Sequence, residues 1–241
     1  MCTRFVYRGD DIITGFNFDI DLAVWNHKVR LGKDRFFIGL LRPDGKRHAY
    51  HGVNRNGQVG TLLYVHENPA GAYREGKNCL SIATLTESFI NGHLDYDAAL
   101  QAVRTKQIVY APDATMQAML SDARGRTLLI EPGLGYREEE GPYALITNYS
   151  LLAPDSTRPF VVPGDTRYER AAQLLSACDR SFSVSDAFSV LQAVRQEEPW
   201  ATRVSFVYSQ NQHTVYYAEN GDFAHIKTHR FFSPVTERSF L

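Results

Sequence analysis

Residue 2 combines two reactive groups. Removal of Met1, the usual fate of an initiator methionine ahead of a small residue, leaves Cys2 first in the chain. Such a cysteine bears a thiol and a primary amine on adjacent carbons. Their unperturbed pKa values, about 8.5 and about 8, both lie near neutrality. There the amine can take the thiol proton, directly or through one water, and later hand it to a leaving group. One residue then supplies nucleophile and base. Two more polar residues stand out on physical grounds. Asn148 closes an apolar strand over 144–147, where a lone amide must find hydrogen bonds or lie at the mouth of a site. Arg167 falls in the first turn of an expected helix, where the helix dipole disfavours a cation and so hints at a partner.

These residues need a scaffold, and the patterning supplies one. Segments TRFVYR and ITGFNFDID flank the charged turn Gly9-Asp10-Asp11 and read as a hairpin. DRFFIGLL and KRHAYHGV flank Pro43-Asp44-Gly45, a second hairpin whose glycine accepts positive φ. QVGTLLYVHE reads as another buried strand. Thr84 and Glu87 have capping-box spacing before an amphipathic run, and Asp95 opens a second helix with carboxylates in its first turn. Strands return in TMQAMLSD, TLLIEP and YALITNYS. Helices are expected over 167–177, with Thr166 and Glu169 as a capping box, and over 186–195 behind Ser183 and Ser185. RVSFVYSQ and HTVYYAEN close as an antiparallel pair. Strand and helix do not alternate as a parallel doubly wound sheet requires. The order instead predicts an α+β fold, a four-layer αββα sandwich of two antiparallel sheets. Residues 1–230 are expected to form one domain, with 231–241 a C-terminal tail.

Composition narrows the function classes. A net charge of −1 across 241 residues gives no electrostatic case for nucleic acid or an anionic membrane surface. No window approaches the roughly 18 apolar residues of a membrane span, and Arg4, Arg8, Asp10 and Asp11 interrupt any signal-peptide segment. The expectation is a soluble, cytoplasmic protein. Three scattered cysteines make neither a disulfide framework nor a zinc site, and the eight histidines show no metal-binding spacing. Neither metal nor cofactor is expected. Cys79 and Cys178 lie in apolar helical patterns and read as small buried hydrophobes.

An ordered set of short motifs adds to this reading. Met1-Cys2-Thr3 is followed by Gly15-Phe16-Asn17-Phe18-Asp19, then Gly52-Val53-Asn54-Arg55-Asn56-Gly57, then the hairpin LSDARGRTLLIEP. Leu145-Ile146-Thr147-Asn148 comes next, and Pro163-Gly164-Asp165 with Arg167-Tyr168 completes the series. The set resembles the choloylglycine hydrolase/penicillin V acylase family of N-terminal-nucleophile hydrolases. Each motif is weak alone; their order and spacing are specific. The resemblance implies hydrolysis of a linear amide C–N bond through a Cys2 thioester. It implies that Asp19 orients the Cys2 amine, that Asn54 points its amide at the developing oxyanion, that Asn148 helps hold the amine, and that Arg167, or Arg170 if the match slips, lies near the nucleophile. Asn54 also suits a turn residue with positive φ. One departure matters: the family shows arginine where this chain has Phe16. Arg4, on the same strand face as Cys2, could restore that charge, or be a solvated strand residue.

The expected partner is a small N-acyl amide, of the conjugated bile salt, penicillin V or N-acyl amino acid type, with homo-oligomerisation left open. Tyr7, Phe16, Phe18 and Trp25 are candidates for an acyl pocket or for core. Two alternatives stand beside hydrolysis: an acyltransferase of the acyl-CoA:6-aminopenicillanate type, and a catalytically weak acyl-ligand-binding homologue. Glutamine amidotransfer, which can also start Met-Cys, lacks its usual Met-Cys-Gly-Ile start and Asn-Gly-Glu-Ile-Tyr-Asn segment here.

Overall fold

Two of the strands with the strongest patterning are buried on both faces. The first strand, β1 (Cys2–Arg8), and the next, β2 (Ile12–Asp19), pair antiparallel across the Gly9–Asp11 turn, and nearly every residue in them is buried. Burial on both faces requires a layer on each side, and the remaining elements provide them. The computed structural model describes residues 1–231. After β2 come β3 (His27–Leu31), β4 (Arg35–Leu41), β5 (Arg47–Asn54) and β6 (Val59–Tyr64). A short strand, β7 (Cys79–Ser81), leads into helices α1 (Ile82–Ile90) and α2 (Tyr96–Thr105), and β8 (Gln107–Val109) pairs back in parallel with β7. Then follow β9 (Met116–Ser121), β10 (Thr127–Glu131), β11 (Gly135–Glu139) and β12 (Tyr143–Ile146), the single turn α3 (Pro154–Thr157), and helices α4 (Arg167–Ser176) and α5 (Val184–Ala193). Strands β13 (Thr202–Ser209), β14 (Thr214–Glu219) and β15 (Lys227–Arg230) complete the described chain.

One antiparallel sheet has the order β12-β1-β2-β13-β14-β15, the other β11-β10-β9-β6-β5-β4-β3. Helix α1 lies on β5 and β6; α4 and α5 lie on the β12-β1-β2-β13 side of the other sheet. The result is the expected αββα sandwich. Along β1 the period of two sends Cys2, Arg4 and Val6 between the sheets and Phe5 and Tyr7 toward α4 and α5. Gly15, opposite Phe5, is there because nothing larger fits: a Cβ would lie 2.1 Å from the Phe5 ring. Gly45 takes φ +76° in the β4–β5 turn, as its turn type demands.

Several local readings need correction. Helix α1 begins two residues before Thr84, capped by Ser81, whose Oγ accepts from the Ala83 N–H at 3.3 Å. Glu87 instead accepts from the Ala49 N–H at 2.9 Å, tying the helix to β5. Thr166 makes no side-chain cap on α4; the capping box belongs to α5, between Ser183 and Asp186. Cys79 sits on β7 and Cys178 just past α4, both half-buried rather than core. Phe231, placed in the expected tail, is buried and packs edge-on against Tyr208 and His229; the rest of that tail, 232–241, lies outside the described residues. Among the described residues no helix is long and apolar enough to cross a membrane.

Candidate active site

Antiparallel neighbours alternate direction, so the start of β1 meets the end of β2, the end of β12 and the start of β13 at one end of the sheet. Cys2 opens β1 opposite Phe18. Asp19, the last residue of β2, pairs with Thr202, the first of β13. The β1–β12 register pairs Arg4 with Ile146, and two residues further it brings Asn148 level with Cys2. Arg167 enters from the first turn of α4, on the helix side. Cys2 faces the space between the sheets.

Hydrogen bonds hold the main chain of Cys2 at both polar atoms. Its N–H donates to Asn148 Oδ1 at 2.6 Å, and its carbonyl accepts from Arg167 Nη1 at 2.9 Å. Arg167 Nη2 also donates to Asn148 Oδ1 at 3.1 Å, while Asn148 Nδ2 donates to the Tyr64 carbonyl at 2.8 Å. The cation misplaced at a helix start is explained by two carboxylates: Asp165 receives Arg167 Nε and Nη2 at 2.9 and 2.7 Å, and Asp19 lies 3.4 Å from Nη1. The other Asp19 oxygen accepts from Thr202 Oγ1 at 2.7 Å, whose hydroxyl in turn accepts from the Gln196 N–H at 2.9 Å. The Met1 ammonium donates to the Asp19 carbonyl, while the nitrogen of Cys2, whose amine was expected to meet Asp19, is bonded to Asn148.

Electrostatics follow from burial. Desolvation pushes the Cys2 thiol up to about 11, against the pull of the N-terminal charge, the Asp19 backbone and Arg167. Burial likewise lifts Asp19 to about 6, though Arg167, the N-terminal charge and the Thr202 hydroxyl oppose it. Burial works against the Arg167 charge, but the Asp165 hydrogen bonds and the two carboxylates outweigh it and its pKa rises. With Met1 in place the thiol is therefore protonated at neutral pH and its own nitrogen is an amide.

Cys2 forms part of the wall of a cavity of about 450 Å³ whose lining is mainly apolar: Phe18, Ile20, Trp25, Leu40, Leu62, Met116, Val161 and Trp200 among others. Met1, Asp19, His51, Tyr64, Thr115 and Asn148 supply its polar margin. Of the four aromatics expected near the site, Phe18 and Trp25 line it. Phe16 is packed between the sheets against Phe206 and His51, and Tyr7 stacks on Phe182 on the helix side. Trp25 is braced by the Arg42 guanidinium, 4.4 Å from its ring.

Cys2, Asp19, Asn148 and Arg167 are thus brought together; Asn54 is not. It ends β5 and engages its side chain in its own turn and at the end of α1. Oδ1 accepts from the N–H groups of Asn56 and Gln58, and Nδ2 donates to Gln58 Oε1 at 2.8 Å and the Phe89 carbonyl at 3.3 Å. Positive φ in that turn belongs to Gly57. Arg170 is exposed. Arg4 is fully buried, bonded to Ser121 Oγ at 2.9 Å and to the Phe5 carbonyl, and desolvation lowers its pKa to about 9; its guanidinium is directed at β9 rather than at the thiol. Sequence reasoning passed over Thr202, and over two residues that brace the Asn148 segment. Gln117 Nε2 donates to the Thr147 and Tyr149 carbonyls on either side of Asn148, at 2.9 and 3.2 Å. Glu131 accepts from Leu151 N and Ser150 Oγ just beyond. A polar residue inside an otherwise apolar strand, as in MQAML and LLIE, was the available signal. Among the described residues no group of three or more His, Cys, Asp or Glu is placed to hold a metal ion.

No protein-family model matches the chain, and no curated protein matches it in sequence. Solved structures do match it. A variant of conjugated bile acid hydrolase from Clostridium perfringens shares 15% identity over the whole of both chains, with a TM-score of 0.67. Penicillin V acylase from Agrobacterium tumefaciens shares 18% over 90% of this chain and 83% of its own, at 0.63. The Caenorhabditis elegans ortholog of N-acylethanolamine-hydrolyzing acid amidase shares 15% over 87% and 93%, at 0.60. At these identities the likeness is one of fold, the αββα sandwich described above. Two of the three are the kinds of enzyme that the sequence motifs resemble.

Proposed function

We propose that this protein hydrolyses the linear amide bond of an N-acyl substrate, with Cys2, freed by removal of Met1, as both nucleophile and base. One observation carries the reading. The Cys2 nitrogen, the atom that would become the α-amine, is held at 2.6 Å by Asn148 while its thiol borders an apolar cavity large enough for an acyl group. Removal of Met1 turns that nitrogen from an amide into a base beside the sulfur. The amine takes the thiol proton, sulfur attacks the amide carbonyl, and the proton passes to the departing amine as the C–N bond breaks. Water, deprotonated by the same amine, then cleaves the thioester, giving the carboxylic acid and restoring the thiol. Arg167 and Asn148 orient Cys2 through its main chain, and Asp19 with Thr202 anchors Arg167. The same fold carries a conjugated bile acid hydrolase, a penicillin V acylase and an N-acylethanolamine-hydrolyzing amidase, and we assign an N-acyl amide of this broad kind.

A second reading, an acyl-ligand binder with little turnover, is favoured by one feature: the Asn54 amide expected at the oxyanion is engaged in its own turn. Intact-mass measurement on untagged protein, before and after incubation with a panel of acyl amides, separates the two. Loss of Met1 and an acyl adduct or released amine that vanish in Cys2→Ala support hydrolysis. A Met1-free protein that binds these amides without acylation or release refutes it. A tag fused ahead of Cys2 abolishes turnover and spares folding; full activity with the tag in place rules out the free-amine mechanism.

A further inference from the structure

The wall of the acyl cavity contains a buried polar side chain that the proposed chemistry does not use and that has an unpartnered nitrogen. His51 projects from β5 into the space between the sheets. Its ring centroid lies 4.8 Å from that of Phe18, the cross-strand neighbour of Cys2, and 5.0 Å from that of Phe16. Nδ1 accepts a hydrogen bond from the Leu62 N–H at 3.3 Å. Nε2 has no hydrogen-bond partner among the described residues, although His51 is only 2% exposed.

Burial, aided by the nearby N-terminal charge, lowers the His51 pKa to about 3, so the ring is neutral in any ordinary assay. A neutral imidazole has one N–H, and because Nδ1 is an acceptor here, the proton sits on Nε2. A buried donor without a partner is costly, and native structures rarely leave one so unless a ligand or water answers it. A phenylalanine would stack on Phe16 and Phe18 equally well and carry no such cost. Met1 shares the cavity wall with His51, so removal of Met1 opens this side of the cavity to substrate.

We propose that His51 is a specificity residue of the acyl cavity, its Nε2–H selecting acyl groups that carry a hydrogen-bond-accepting oxygen beyond the scissile carbonyl. The assignment rests on the amide-hydrolase reading for its acyl group, but its test does not depend on turnover. An acyl chain attached to Cys2 runs inward over Phe18, and His51 lies on that path. An ether, hydroxyl or keto oxygen there pairs the orphan donor; a plain methylene leaves it unpaired.

Trp25 and Trp200 line the same cavity, so intrinsic fluorescence of the Met1-free protein reports its occupancy. The probes are phenoxyacetamide and 3-phenylpropanamide, which differ by an oxygen in place of a methylene. One hydrogen bond from a neutral donor gives an affinity ratio of about 3–10 in favour of the ether. In His51→Phe the ratio falls to about one, and in His51→Gln, which keeps an amide donor, a preference for the ether remains. Equal affinities in the wild type, a preference that survives His51→Phe, or no saturable binding of either probe overturns the assignment. The matching p-nitroanilides are assayed in parallel. Binding preference without turnover removes the hydrolase reading and leaves the donor assignment; turnover without preference does the reverse.

Discussion

Thr202→Val tests whether the hydroxyl of this residue holds Asp19 as a carboxylate. Thr202 Oγ1 donates to Asp19 Oδ1 at 2.7 Å, and both residues are buried. Hydrogen bonds to charged groups contribute about 1.5–3 kcal/mol, those between neutral groups about 0.5–1.5. The difference, about 1–1.5 kcal/mol, at 1.36 kcal/mol per pH unit, moves the Asp19 titration upward by about one pH unit when the hydroxyl is removed and the shape kept. The sign of the stability effect follows from the direction of the shift. Asp19 in the folded protein titrates near 6, above its unfolded value, so its contribution is fully present below about pH 4 and is lost as pH rises through 6. In the variant that loss is deeper and extends to higher pH. The gap in unfolding free energy between wild type and Thr202→Val therefore widens by about 1 kcal/mol between pH 5 and pH 8. Urea denaturation followed by circular dichroism at four pH values measures it, with Thr202→Ser as the control that retains the bond. The orphaned Gln196 N–H adds a penalty that does not vary with pH. A gap that stays constant across this range would refute the reasoning.

The remaining predictions concern the scaffold. Ser81→Ala costs about 1 kcal/mol of stability through loss of the α1 cap, whereas Thr84→Ala, inside the helix, costs less; equal losses in thermal melts would contradict the cap assignment. Gly15→Ala drives a methyl into the Phe5 ring and destabilises by about 1–3 kcal/mol, part of which Phe5→Leu recovers in the double variant. Asn54→Ala removes three turn contacts and one to the end of α1 and lowers stability by about 1–3 kcal/mol, while the rate of Cys2 acylation per folded molecule is unchanged. A fall of about a hundredfold in that rate, the signature of a lost oxyanion donor, would restore Asn54 to the site.

What was legible in the sequence followed from local physics. The two N-terminal hairpins were readable because Gly9–Asp11 and Pro43–Gly45 have turn chemistry and the flanking segments are rich in buried residues. Strands β3, β11 and β15 escaped notice because they are sheet edges. Their side chains are largely exposed, as in Gly135–Glu139, so no apolar alternation marks them. The α1 cap was misread because Thr84 and Glu87 have the right spacing for a box, yet Glu87 is drawn to the Ala49 N–H and His48 of the neighbouring strand. Asn54 illustrates the same limit at the site. Its own loop and the end of α1 satisfy it, and only the sheet register decides whether a strand-end residue reaches Cys2. Thr202 and His51 are the converse: bland in their local sequence, they acquire meaning from pairings more than a hundred residues apart for one and between opposed sheets for the other.

Phe16 takes this furthest. The sequence offers Arg4, two residues from Cys2 on the same strand face, either as a substitute for the missing arginine or as a solvated strand residue. The register puts Arg4 directly opposite Phe16, on the same side of the sheet, yet its guanidinium is held by Ser121 and the Phe5 carbonyl. The cation that does bear on the nucleophile, Arg167, approaches from the helix side and binds the Cys2 carbonyl, not the sulfur. The thiol itself faces Phe18 and the apolar cavity, where desolvation, joined by the Asp19 charge, favours the neutral form. A thiolate there needs a base within one residue's reach, and the nitrogen held by Asn148 is the group in that position. In the mechanism we propose, with Phe16 in place of a cation, reactivity rests more heavily on the amine of Cys2, and so on the removal of Met1, than the motif alone implies.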